Sequence, residues 1–194
     1  MLRHMSAEGI SDVSRWRFTV DQYEQMARAS VFGRDDRVEL LDGEIASMSP
    51  IGPTHASIVD RLTWLLVSRL DDRFIVRVQS PVRLPPHSEP EPDLAVLRPR
   101  DDFYSTRHPG PADVVLAIEV SDSTLALDRG VKLPIYARAA LPQVWLVDVE
   151  RRAVMVHRRP VDGSYAEASV LQRGKILASG PPLDLDLYVS GVLG

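Results

Sequence analysis

The chain has 194 residues, of which 44% are hydrophobic and 26% are charged, a composition typical of a soluble globular protein. The lack of cysteine excludes thiolate metal sites, thiol catalysis and disulfides. The net charge of −4 argues against a broad basic surface that binds nucleic acid without sequence preference, although it is compatible with a local basic groove.

The sequence contains no apolar run close to the roughly 20 residues that a membrane-spanning helix needs. Its first residues are polar and show no apolar signal-peptide core. These features predict a cytoplasmic protein that does not associate with membranes. We expect residues 1–15 to form a flexible N-terminus and residues 16–194 to form a single domain.

The first half of the chain carries two helix signals on either side of a hairpin signal. Thr19 is a typical N-cap residue and predicts a helix that ends near Ala29. The Asp-Gly pair within residues 38–45 predicts two short strands joined by a tight turn. Apolar residues at a spacing of about 3.6 predict a second helix over residues 54–70.

The second half is dominated by strand patterns. Residues 114–120 form a nearly unbroken apolar run, which is typical of a central strand buried on both faces. A helix is predicted between residues 128 and 140. Further strands or strand candidates are predicted at residues 74–78, 82–84, 94–97, 144–149, 154–157, 166–171 and 183–187. This order predicts an α/β fold in which helices flank a mixed central sheet.

Glu119 lies inside the predicted central strand, where an unpaired carboxylate costs on the order of several kcal/mol. If Glu119 stood alone, a salt bridge to one of the many arginines would explain it. However, Pro92-Asp93 opens the preceding short strand, and adjacent strands can place Asp93 and Glu119 at the same end of a sheet. Two carboxylates and a strand carbonyl, with positions left for water, suit Mg²⁺.

The two motifs together resemble the PD-(D/E)XK nuclease signature. Pro92-Asp93 corresponds to its first part, and Glu119-Val120-Ser121 corresponds to its second part. The signature has a lysine two residues after the glutamate, where this chain has Ser121. The absence of this lysine affects the expectation of catalysis more than the expectation of the fold. The resemblance still implies a restriction-endonuclease-like mixed sheet.

A longer ordered set of residues resembles the Uma-two family, which is grouped with restriction endonucleases. In that family the lysine lies on the helix that follows the glutamate strand, and Lys132 matches this position. Only two of the 23 basic residues are lysines, which indicates that the compact, deprotonatable charge of lysine is needed here. The matched positions are residues 38–44, 49–50, 55, 79–82, 92–93, 119–124, 128, 132, 136 and 144–148.

The resemblance implies a metal site with a catalytic lysine. Asp93, Glu119 and the Val120 carbonyl would hold Mg²⁺ or Mn²⁺. Glu39 would add a second acidic metal contact, the alternative being a surface residue before a tight hairpin. Lys132 would orient the attacking water or neutralise the transition state. We therefore expect Asp93, Glu119 and Lys132 to be catalytic.

Four further residues are candidates for lining the site. His55 lies at a helix start and Gln79 on an edge strand, and an ordinary surface position is the alternative for both. Tyr136 lies on the predicted third helix, where packing under the sheet is the alternative. Ser121 projects from the same strand face as Glu119.

These residues together predict a metal-dependent endonuclease that hydrolyses phosphodiester bonds in DNA. Cleavage of both strands of a duplex favours a two-fold arrangement, so we expect a homodimer. The alternative is a nuclease-fold protein without catalysis that serves as a nucleic-acid-binding or assembly module, and Ser121 is the feature that favours it. A nucleotide-binding α/β protein is disfavoured because no Gly-rich loop follows a strand.

Overall fold

A computed structural model describes residues 15–194 of the chain. The predicted flexible N-terminus, residues 1–15, lies outside the described residues except for Arg15. The α-helices of the described part are α1 (Val20–Arg28), α2 (Pro53–Arg69), α3 (Leu125–Leu127), α4 (Leu133–Arg138) and α5 (Val189–Leu193), and Pro111–Asp113 form a 3-10 helix. Its strands are β1 (Val38–Leu41), β2 (Glu44–Ser47), β3 (Ile75–Val78), β4 (Leu94–Leu97), β5 (Val114–Ser121), β6 (Gln143–Asp148), β7 (Ala153–Val161), β8 (Ser164–Gln172), β9 (Ile176–Ala178) and β10 (Asp186–Tyr188). Between residues 15 and 194, no helix combines the length and the apolar character needed to cross a membrane.

Six strands form the central sheet in the order β3-β4-β5-β6-β7-β8, which confirms the predicted mixed sheet. β5 and β6 are parallel, whereas the other neighbouring strands are antiparallel. A parallel pair needs a crossover connection, and the helical residues 125–138 between β5 and β6 provide it. All of β5 is buried, as its unbroken apolar run predicts.

Hydrophobic cores cover both faces of the sheet, and from Leu116 onward the alternation of side chains along β5 assigns its residues to them. Ile118 and Val120 belong to the core that contains buried residues of α2 and α5. Ala117 belongs to the opposite core, which includes Tyr136 of α4. Glu119 follows the same alternation and therefore projects to the face that α4 covers.

The N-terminal helix and the hairpin form through local signals. Thr19 and Gln22 make a capping box, in which each side chain accepts a hydrogen bond from the other residue's backbone N–H. β1 and β2 pair around Asp42 and Gly43, whose φ angles of 49° and 82° suit a type I′ turn. The hairpin fixes Glu39 on β1, where only 3% of the residue is exposed.

The helix predicted between residues 128 and 140 begins earlier and contains a π turn. α3 ends at Leu127, Asp128–Lys132 form the π-helical turn, and α4 follows from Leu133. In a regular helix, the ring of Pro134 would clash with the carbonyl four residues earlier, and its missing N–H would leave that carbonyl without a donor. The structure has a wider turn before Pro134, in which the Leu133 N–H bonds to the Asp128 carbonyl, and the helix continues into α4.

Four strand candidates differ from the structure in presence, length or position. Residues 82–84 do not form a strand, because only Leu84 makes a bridge, to Ser88. The candidates at residues 154–157 and 166–171 are the middle parts of the longer hairpin β7–β8. The candidate at residues 183–187 shifts to β10, which pairs with the unpredicted β9 and leads into the unpredicted α5.

Candidate active site

The predicted site residues converge on one cavity of about 100 Å³. It lies where the start of β4 and the end of β5 meet the β1–β2 hairpin, the start of α2 and the π turn. Its lining includes six residues predicted from the sequence, namely Glu39, His55, Gln79, Asp93, Glu119 and Lys132. Ser121 and Tyr136 lie behind this lining and bond to residues within it. The structure thus brings the predicted residues together, while their catalytic and metal-binding roles stay predictions.

Asp93 directly precedes β4, and three groups hold its carboxylate. Asp93 Oδ2 accepts the backbone N–H of Val120 at 2.8 Å and lies 3.1 Å from His55 Nε2. Asp93 Oδ1 accepts a hydrogen bond from Gln79 Nε2 at 3.3 Å. The hydrogen bond to Asp93 raises the pKa of His55 above its ordinary value, which favours the protonated imidazole. His55 and Gln79 therefore orient Asp93.

Lys132 joins two buried carboxylates. Its Nζ lies 3.0 Å from Glu39 Oε2 and 3.3 Å from Glu119 Oε1, and the three side chains are only 3–5% exposed. Burial acts to lower the pKa of Lys132, but the charges of Glu119 and Glu39 outweigh burial and raise the pKa above its ordinary value. The amine therefore stays protonated. Glu39 Oε2 also accepts the Glu91 backbone N–H at 3.1 Å, which fixes its position.

Tyr136 of α4 supports Glu119 from the side of the core. Its hydroxyl donates to Glu119 Oε1, the same oxygen that Lys132 contacts, at 2.5 Å. Burial raises the pKa of Glu119 well above its usual range, against the opposing charge of Lys132. Burial and the charge of Glu119 also raise the pKa of Tyr136, so the phenol keeps its proton and remains a donor.

A second buried network holds the π turn against β5. Ser121 Oγ and Thr124 Oγ1 both donate to Asp128 Oδ2, at 2.8 Å and 2.6 Å. Asp128 begins the π turn that ends at Lys132, and only 3% of Asp128 is exposed. No role was expected for Asp128 from the sequence. The available signal was its position four residues before Lys132, within the segment that carries the family resemblance.

The cavity is rich in acidic groups beyond those predicted. Six carboxylates line it, those of Glu39, Glu91, Asp93, Glu119, Asp122 and Asp128. The basic side chains of the lining are those of Lys132, Arg37 and His55. Burial, with the charge of Glu39, raises the pKa of Glu91.

Comparison with known proteins identifies the family of the chain. The sequence model of Uma2, described as "Putative restriction endonuclease", matches residues 20–190. The chain belongs to the Uma2 family. A crystal structure from Anabaena variabilis ATCC 29413, described as "a putative nuclease belonging to DUF820", matches with a TM-score of 0.64. The two chains are 16% identical, and the match covers 90% of this chain and 97% of that one. At this identity, the likeness shows a nuclease-like fold alone. No curated protein matches the chain.

A metal ion bound to this Uma2 chain would rely on few protein ligands. Within residues 15–194, no three histidine or acidic side chains form a ready metal-binding group. The Val120 N–H bonds to Asp93, and the Val120 carbonyl points to the same side of the strand. Mg²⁺ is commonly held by one or two carboxylates and keeps several waters, so the donors of Asp93, Glu119 and Val120 fit this ion. Glu39 already accepts two hydrogen-bond donors, and its role as a metal contact stays a prediction.

Proposed function

We propose that this Uma2 chain is a metal-dependent endonuclease that hydrolyses phosphodiester bonds in DNA. The observation that carries the proposal is the contact of Lys132 with Glu119, in the cavity that Asp93 also lines. The nuclease signature expects a lysine at position 121, and here the π turn supplies a lysine to the same glutamate. Membership of the family and the nuclease-like fold support the proposal.

The acidic lining supports a role for a divalent cation in binding a phosphodiester. Six carboxylates outnumber the three basic side chains of Lys132, Arg37 and His55, so an anionic phosphate that approached alone would be repelled. Asp93, Glu119 and the Val120 carbonyl are the groups that would hold Mg²⁺ or Mn²⁺. Such an ion lowers the pKa of a bound water and stabilises negative charge on the phosphate.

The side chains around that position supply orientation and positive charge. Because its pKa is raised, Lys132 acts as a cation that stabilises a phosphate oxyanion, and not as a general base. His55 holds the Asp93 carboxylate and Tyr136 holds the Glu119 carboxylate, so neither carboxylate rotates freely. This arrangement keeps both carboxylates in place before substrate arrives.

Nicking of supercoiled plasmid DNA tests the proposal. We expect wild-type protein to produce open-circular DNA with Mg²⁺ or Mn²⁺ and none in EDTA. Lys132→Met and Glu119→Gln should each lower the rate by about 100-fold or more. Lys175→Met changes the other lysine, which is exposed, and should keep the activity. Cleavage in EDTA would contradict the metal dependence, and full activity of Lys132→Met would contradict the role of Lys132.

A nucleic-acid-binding or assembly module without catalysis is the second candidate. Two observations favour it: Ser121 replaces the signature lysine and bonds to Asp128, and the Lys132 amine is engaged in ion pairs. Wild-type protein that binds labelled duplex DNA in a gel-shift assay, but nicks no DNA with either metal, would support this candidate over the endonuclease.

A further inference from the structure

β8 is a long and exposed edge of the central sheet. It contains nine residues and ends the strand order, whereas strands of globular proteins average about five or six residues. Only Tyr165 and Leu171 of β8 are half-buried, and the other seven residues are exposed. β3, at the opposite edge, has only four residues. β8 therefore offers the larger surface for pairing.

The outer side of β8 has free hydrogen-bonding groups. The inner side pairs with β7 from Ser164 opposite Val161 to Gln172 opposite Ala153, with one interruption at Ala166. In the part of the chain from residue 15 onward, no strand pairs with the outer side. That side presents about four N–H and four C=O groups.

β8 lacks the features that protect edge strands from pairing with other chains. Such features are charged side chains, prolines and bulges. β8 contains no proline, its register with β7 has no shift, and Glu167 is its one charged residue. Val170 is 65% exposed on this edge. The strand is therefore suited to accept another strand.

We propose that β8 pairs antiparallel with β8 of a second copy of this chain, which joins two six-stranded sheets across a two-fold axis. In an antiparallel pair, residues directly opposite each other project from the same face. Because side chains alternate along a strand, the two-fold axis must lie midway between two copies of the same residue, so that this residue is opposite itself. The register that pairs all nine residues has Ala168, the middle residue of β8, at the axis.

This register is complementary in charge and in apolar contacts. Ala166 lies opposite the partner's Val170, so an exposed valine gains an apolar neighbour. Glu167 lies opposite the partner's Ser169, whereas a register centred one residue earlier would set Glu167 against its own copy. Beyond the strand end, exposed Arg173 approaches the partner's Asp162 in the β7–β8 turn. Each end of the paired strands thus gains a contact between opposite charges.

The pairing is independent of the proposed endonuclease activity. The cavity at Glu119 and Lys132 has no lining residue from β7 or β8. Two other strands of the sheet, β6 and β7, separate β8 from β5. Association through β8 therefore leaves the cavity open in both copies.

Cysteine cross-linking tests this register directly, because the chain has no cysteine and an introduced cysteine is therefore the one thiol in each copy. Ala168→Cys sets two Cβ atoms about 5 Å apart across the axis, within reach of a short bis-maleimide. Ser164→Cys is the matched control on the same strand, since its two copies would lie about 27 Å apart. We expect a covalent dimer on a denaturing gel from Ala168→Cys and none from Ser164→Cys.

Sedimentation velocity over a range of concentrations measures the association itself. We expect wild-type protein to reach twice the monomer mass. Ala168→Lys places two lysines opposite each other, and their repulsion should raise the dissociation constant about tenfold or more. Ser169→Lys is the control, because its lysine lies opposite the partner's Glu167 and should not weaken the dimer. A monomer at all concentrations would overturn the proposal, as would a dimer that persists in Ala168→Lys and does not cross-link through Ala168→Cys. A monomer that nicks DNA would overturn only the β8 pairing.

Discussion

Replacing Lys132 by methionine removes the charge that joins two buried carboxylates and keeps most of the side-chain volume. In the wild-type chain, the amine contacts Glu39 at 3.0 Å and Glu119 at 3.3 Å, and all three side chains are at most 5% exposed. Removing one member of a buried ion pair costs about 3–5 kcal/mol, because the remaining charge stays buried without its partner. With an m-value of about 2 kcal/mol/M, the urea midpoint should fall by about 1.5–2.5 M.

The cost of Lys132→Met should depend on pH, with a sign set by Glu119. Burial raises the pKa of Glu119 well above its usual range, and Lys132 opposes that rise. A carboxyl whose pKa is higher in the folded state binds more protons when folded. Stability therefore falls as pH rises from the pKa of the unfolded state through that of the folded state. The loss of stability in Lys132→Met should be smaller at about pH 5 than at about pH 8.

Urea unfolding followed by far-ultraviolet circular dichroism, in EDTA and at both pH values, measures this cost. Lys175→Met is the matched control, because Lys175 is exposed, and it should stay within about 0.5 kcal/mol of wild type. A loss below about 1 kcal/mol at pH 8 in Lys132→Met would refute the buried ion pair as a stabilising contact. A larger loss at pH 5 than at pH 8 would refute the role given to Glu119.

Two further variants probe the same site. Glu119→Gln should leave the metal-free protein as stable as wild type or more stable, because burial disfavours the charged carboxylate that the amide replaces and Lys132 keeps its ion pair with Glu39. Mg²⁺ at ten times its Kd should raise the Tm of wild-type protein by about 3–6 °C, and Glu119→Gln should abolish this rise. If the Tm of wild-type protein does not rise, the result argues against metal binding. Ser121→Ala should lose about 1–3 kcal/mol in urea unfolding, because Asp128 loses a buried donor. Unchanged stability would show that this hydrogen bond does not hold the π turn.

The parts of the fold that were predicted correctly are those with local signals. Thr19 caps α1 by hydrogen bonds with Gln22, which is only three residues away. The Asp-Gly pair forms the tight turn that joins β1 and β2. Residues 82–84 have the apolar pattern of a strand, but the Val82 N–H bonds to the Pro90 carbonyl and the segment stays outside the sheet. α5 has only five residues, too few for a helical period, and its buried Val192 belongs to the core beside α2. Its structure depends on tertiary contacts.

Within the site, the sequence indicated which residues are involved but not how they are held. The resemblance pointed to His55 and Gln79, yet only the three-dimensional arrangement shows both bonded to Asp93. The ion pair between Lys132 and Glu39 joins residues 93 positions apart, and no local pattern reports such a contact. Periodicity describes one element at a time, whereas this contact depends on how the hairpin and the crossover helix dock on the sheet.

The route by which Lys132 reaches Glu119 explains why serine is suitable at position 121. A lysine at 121 would project from the same strand face as Glu119 and would lie beside it. In this chain the Ser121 hydroxyl instead donates to Asp128, the first residue of the π turn, and Lys132 is the last residue of that turn. Position 121 therefore contributes to the lysine contact by anchoring the segment that carries Lys132. Because the amine then also contacts Glu39 on the hairpin, the site depends on the docking of three segments, and a defect in any one of them should displace Lys132.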